Sequence, residues 1–139
     1  MRDATRQGVM GQVFWYWGPV VGLAGVIFCL SALSHPEDQL PSFLFKEFSD
    51  KVLHAVEYGI LALFCYRAFR WASGPVVARQ AAVLAIVTAS VFGITDEVHQ
   101  LFVPFRESSW QDWLADTVGA VIGAMSWRFF LGVDPQSRH

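Results

Sequence analysis

Fixed charge is what this sequence has least of. Only 16% of its 139 residues are Asp, Glu, Lys or Arg, against 54% hydrophobic, whereas a soluble domain carries about a quarter charged residues. Between Val13 and Ser34 there is no charged residue at all, and mean hydropathy over the chain is +0.39. Lipid is therefore the expected solvent.

Several familiar chemistries are absent too. There is no Gly-x-Ser-x-Gly elbow, P-loop, dinucleotide fingerprint or Cys-pair zinc motif. No basic patch stands outside the inner membrane face, which argues against nucleic acid as a partner. The cysteines are two, Cys29 and Cys65. In the helices read below, their depths differ by on the order of 14 Å at 1.5 Å per residue. A disulfide tolerates no more than about 7 Å between Cα atoms, so both are read as apolar packing residues.

What remains is apolar runs. Crossing the hydrocarbon core takes about 20 residues, and four stretches reach that length: 13–34, 50–71, 76–100 and 110–130. The first follows Arg2 and Arg6 but exceeds the roughly 7–15 residues of a secretory apolar region, so it reads as an uncleaved anchor. Ala72–Pro75, "ASGP", is a helix–helix turn, and Gly132–His139 reads as a frayed tail. The expectation is all-α: one domain over 1–139, a four-helix transmembrane bundle without linker or repeat.

Orientation follows from Lys and Arg. With the termini together, their face holds Arg2, Arg6, Arg67, Arg70, Arg79, Arg128 and Arg138, and the other face Lys46, Lys51 and Arg106. That bias places both termini in the cytoplasm. Trp15, Trp17, Trp71 and Trp127 then fall near the inner boundary, with Trp110 and Trp113 near the outer one. All the acids except Asp3 and Asp134 lie on the outer side, facing the periplasm or exterior.

Those acids are patterned. Asp50, His54, Tyr58 and Leu61 share one helical stripe, flanked by Glu57. Gly93, Asp96, Glu97 and Gln100 share another, and Asp112, Asp116, Gly119 and Gly123 a third that runs the opposite way. The third continues through Gly119-x-x-x-Gly123, with Ala115, Ala120 and Ala124, into a surface that admits a neighbouring backbone. Ionisable groups at membrane depth cost about 2.5–3.5 kcal/mol each or more unless paired or wetted. The three stripes are therefore expected to face one another across a hydrated pocket. Pro104 ends the third helix and biases Val103 to an extended backbone, which presents Arg106 above the cluster. The fourth helix restarts with Ser108 or Ser109 as N-cap and Gln111 and Asp112 in its first turn.

These segments resemble the VanZ-like family of small bacterial membrane proteins. "DKVLHAVEYGILAL" matches Asp-Lys-x-x-His-x-x-x-Tyr. "DEVHQLFVPFRESSWQDWLADTVGAVIG" matches Asp-Glu-x-x-Gln, Pro-x-Arg, Asp-x-x-x-Asn/Asp and Gly-x-x-x-Gly, and "SALSHP" resembles the exit of the family's first helix. The resemblance implies four membrane helices, and the founding member is associated with resistance to the glycopeptide teicoplanin. It brings no established reaction. Phe105 stands where glycine is common, and Asp116 where asparagine is frequent.

A hydrogen-bonded network locking the helices is one reading of the cluster, since such polar glue is common at around 0.6–2 kcal/mol per contact. The concentration of outer acids, histidines and a loop arginine exceeds what glue requires, which favours a functional pocket. The expected target is an anionic envelope molecule: a membrane lipid, a lipid-linked cell-wall intermediate or a glycopeptide. Whether there is catalysis stays open. As an enzyme, the site would use Arg106 and Lys51 to hold phosphate, beside Asp50 and Tyr58. His54 with Glu97 or Asp96 would move a proton or activate water. Asp112 and Asp116 would orient the histidine or arginine, and Gln100 would donate to the substrate.

His99 is read toward headgroups or loop, and Glu37, Asp38, Glu47 and Glu107 as solvated. His54 with Asp96, Glu97, Asp112 or Asp116 could supply metal ligands. No tight ligand motif such as HExxH is present, so no metal or other cofactor is assigned. The alternatives are a non-catalytic accessory protein and an ion- or proton-coupled transporter. The latter lacks a polar route through Leu61, Leu63, Val83, Ile86, Val121 and Ile122, and four short helices would transport only as a homo-oligomer.

Overall fold

The structure is a computed structural model that describes residues 2–34, 50–106 and 108–131, with side chains over 10–34, 51–106 and 108–129. The readings of Glu37, Asp38, Lys46, Glu47, Glu107, the end of "SALSHP", the 132–139 tail and the Asp50 side chain fall outside these residues.

Every element among the described residues is helical. Helix α1 runs Arg2–Ser31, α2 Asp50–Trp71, α3 Pro75–Arg79, α4 Ala81–Gln100 and α5 Trp110–Ser126, and a π-helical turn at Trp127–Leu131 prolongs α5. Met10–Ser31, Lys51–Trp71 and Ala81–Gln100 are long and apolar enough to cross a membrane. Helix α5, at 17 residues, is shorter.

Three limits differ from the sequence reading. Helix α1 starts at Arg2 and ends at Ser31 instead of spanning 13–34, passing through Pro19; the missing N–H of that proline deprives the Trp15 carbonyl of its usual donor. The continuous 76–100 helix is in fact two. Pro75 at the first position sets up α3, and the chain tightens at Gln80 (φ −100°, ψ 10°), whose N–H turns back to the Val77 carbonyl. The regular part of α5 stops at Ser126, short of the expected 130.

Large apolar side chains stay on the outside, among them Phe14 (80% exposed), Val21, Val83, Val91 and Ile122. Water would penalise such a coat, whereas acyl chains would not. The interior is correspondingly small-grained: Ala62, Ala68, Ala81, Ala85, Ala89, Ala120 and Ala124 are buried around Tyr58, Leu61 and Cys65. Cys65 and the exposed Cys29 are both free thiols, as expected.

Helices α2 and α5 come closest together. A Cβ on Gly119 would collide with the Ala55 carbonyl, and one on Gly123 with the Gly59 carbonyl, so the two backbones touch where the glycine spacing predicts. Helix α4 packs against both, and α1 lies mainly along α2. At one end Trp17 meets Phe69 edge-on at 5.0 Å, Trp71 meets Trp127 at 5.8 Å, and Arg67 lies 4.6 Å over Tyr16. The polar helix ends gather at the other.

Candidate functional site

The polar end joins four helices. Ser31 closes α1, Lys51 and His54 lie in the first turns of α2, Asp96, Glu97 and Gln100 in the last turns of α4, and Asp112 and Asp116 open α5. Antiparallel packing brings these termini to one level. Ser31, His54, Asp96, Glu97, Gln100, Asp112 and Asp116 are all buried, Asp116 completely.

At its centre His54 Nδ1 and Asp116 Oδ1 lie 2.9 Å apart. A proton on Nδ1 would fix the ring and leave Nε2 as the basic nitrogen. Asp116 Oδ2 is buried with no hydrogen-bond partner. Room for it comes from Gly93, whose hypothetical Cβ would stand 2.9 Å from that oxygen and 3.4 Å from the Tyr58 ring. The Tyr58 hydroxyl also lacks a hydrogen-bond partner.

Glu97 is held from the loop that follows α4. Its Oε2 accepts from Ser108 Oγ at 3.0 Å and from the Ser109 N–H at 2.7 Å, while Oε1 is buried and unpartnered. Ser109 is the α5 cap, accepting from the Gln111 N–H at 3.2 Å. One carboxylate thus ties the end of α4 to the start of α5.

Asp96 accepts from Ser31 Oγ at 2.6 Å and from Gln100 Nε2 at 3.4 Å, so Gln100 spends its amide within the cluster. Lys51 Nζ donates to Asp112 Oδ1 at 2.8 Å from a side chain 49% exposed, which makes this pair the rim of the site. The structure therefore brings together His54, Glu97 and Asp116, and sets Asp96 with Gln100 and Lys51 with Asp112 as flanking pairs.

Arg106 follows a backbone reversal. Phe105 has φ +63°, the left-handed region a glycine would occupy without cost, and its side chain is 81% exposed. Arg106 is half-buried, and its Nε is enclosed without a hydrogen-bond partner two residues before the serine that holds Glu97.

Other assignments shift. His99 stacks on Phe28 with ring centroids 4.3 Å apart, packing α4 against α1 instead of reaching the headgroups. Trp113 donates its indole N–H to the Ser90 carbonyl at 3.2 Å, and Ser90 bonds Thr117 at 2.8 Å, so this tryptophan staples α4 to α5 below the cluster. Ser31 is the residue that sequence reasoning missed as a site member. Its signal was a lone hydroxyl at the polar end of an apolar helix.

Buried carboxylate oxygens without a hydrogen-bond partner, beside an imidazole, can accept protons or bind a cation. Lys51 and Arg106 at the rim suit an anion. No curated protein and no solved structure matches the chain. The VanZ/LLP1 family matches residues 14–131, which include every group of this cluster, and the chain belongs to that family.

Proposed function

We propose that the cluster is the headgroup site of a four-helix protein of the bacterial inner membrane, both termini cytoplasmic and the site open to the periplasm or exterior. Its ligand is the phosphate-bearing headgroup of an anionic envelope lipid or lipid-linked cell-wall intermediate. The observation that carries this reading is a buried polar assembly at one end of an apolar bundle, roofed by a loop bearing Arg106 with an enclosed, unpartnered Nε. An arginine at that level can grip phosphate through two parallel hydrogen bonds. The His54–Asp116 pair, 2.9 Å apart, can take up or release a proton beside it. The cationic bias of the opposite end supports the orientation.

Native mass spectrometry of protein gently extracted from membranes tests this. The expected result is one phosphate-bearing lipid per chain, lost in Arg106→Gln and His54→Gln at unchanged helix content. Wild-type lipid retention in both variants would overturn it. The link to teicoplanin resistance rests on the family alone. Its test is whether expression raises teicoplanin tolerance in a susceptible host and the Arg106→Gln variant does not.

A further inference from the structure

The cluster presents an electrostatic problem to any phosphate. Four carboxylates are buried together, from Asp96, Glu97, Asp112 and Asp116. Lys51 offsets Asp112, and Ser31 and Gln100 satisfy Asp96 with neutral donors. Glu97 and Asp116 each keep one enclosed oxygen with no donor, although they are only 7% and 0% exposed. Unsatisfied anionic oxygens in such surroundings are among the costliest groups a fold can bury.

We infer that His54, Glu97 and Asp116 form a binding site for one divalent transition-metal ion. Each offers a ligand atom, and the three atoms lie within 4.8 Å of one another although they come from three helices. The 2.9 Å approach of His54 Nδ1 to Asp116 Oδ1 is a hydrogen bond when the nitrogen is protonated. It equally suits neighbouring ligands of one ion, which stand about 3 Å apart when bonds are about 2.0–2.2 Å. Closing a gap of up to 4.8 Å to the roughly 3–3.5 Å between ligands of one ion takes a movement of about 1.5 Å. Ser108 and the Ser109 N–H already fix the second oxygen of Glu97, as outer partners fix metal-binding carboxylates.

The donor set selects the ion. One imidazole with two carboxylates suits Zn²⁺ or Mn²⁺; an all-oxygen set would favour Mg²⁺ or Ca²⁺, and a thiolate set Cu(I). Two carboxylates, a neutral imidazole and a 2+ ion sum to zero charge, so the ion would neutralise the three groups together. Three protein ligands also leave a coordination position open. For this last step the inference rests on the lipid reading: the open position takes a phosphate oxygen, and the ion converts an acidic pocket into one that attracts an anion.

The test uses the full chain purified in detergent, stripped of metal, and titrated with Zn²⁺ or Mn²⁺ by calorimetry, with bound metal counted by mass spectrometry after dialysis. One ion per chain is expected, with affinity lowered at least about tenfold in His54→Gln, Glu97→Gln and Asp116→Asn and unchanged in Thr95→Val on the exposed side of α4. No stoichiometric binding of either ion, or binding unaltered in all three variants, would overturn the site. Glu97→Gln keeps an acceptor for Ser108 and decides the matter if Asp116→Asn does not fold. Binding to phosphatidylglycerol nanodiscs is then compared with and without EDTA. Metal binding without lipid binding overturns the lipid reading and upholds the site. Lipid binding indifferent to EDTA and to Glu97→Gln overturns the ion's role in lipid capture and upholds the lipid reading.

Discussion

His54 Nδ1 and Asp116 Oδ1, 62 residues apart in the chain, lie 2.9 Å apart between α2 and α5. Both side chains are at least nine-tenths buried, so neither can exchange its partner for water. This pair fixes the relation of the two helices at the level of the site.

Removing one partner while leaving the other is therefore costly. His54→Ala is expected to destabilise the protein by about 3–5 kcal/mol, as for other broken buried pairs. Asp116→Asn, which retains a hydrogen-bonding group, should cost less. Unfolding in detergent, followed by helical circular dichroism, checks the order; equal losses would contradict it.

Gly119 and Gly123 should be intolerant of any side chain. Alanine at either would drive its Cβ into the Ala55 or Gly59 carbonyl, forcing α2 and α5 apart. A loss of about 1–3 kcal/mol is expected, the usual range for overpacking. Gly22 has open space around its Cα. There Gly22→Ala should be neutral or stabilising by up to about 1 kcal/mol, through helix propensity. Comparing melting temperatures of the three variants tests the contrast.

Gly93→Ala is a subtler probe. Its Cβ would press on the unpartnered Oδ2 of Asp116 and on the Tyr58 ring without meeting any backbone. The carboxylate must turn, so lipid and metal binding should fall several-fold or more while helix content stays. Unchanged binding would show that the position of Oδ2 is immaterial.

Phe105→Gly should relieve the left-handed backbone at φ +63°. A bulky residue there costs on the order of 1–2 kcal/mol, partly offset by the greater freedom of glycine when unfolded. A net gain of about 0.5–1 kcal/mol in unfolding free energy is expected, and a loss would mean that the ring supports the loop.

Much of this arrangement was legible in the residues. The i, i+4 spacing put His54 and Tyr58 on one face, the Gly119–Gly123 step announced a close backbone contact without naming its partner, and the acids marked the shared level. Pairing was legible only in part. The stripes offer Asp112 and Asp116 as partners of the histidine or arginine, but axial rotation and vertical offset decide that Asp116 meets His54 and Asp112 meets Lys51. The break at Gln80 escaped because nothing in its own side chain ends a helix, although the helix that Pro75 opens runs only to Arg79. His99 was misplaced because a ring stacked on Phe28 needs a neighbouring helix that no local pattern reveals.

The backbone contact of Gly59 with Gly119 and Gly123 closes the floor of an open groove between α2 and α5, which Ala55, Ile60, Leu63 and Ile122 also line. Whatever reaches the buried carboxylates must come another way. One route would pass Ser108 and Ser109, which hold Glu97; a second doorway would lie along α1, which among the described residues is tied to the cluster's acids by the Ser31 hydroxyl. A lipid sliding in sideways from the bilayer would take that second doorway, headgroup first, with its tails left among the apolar flanks.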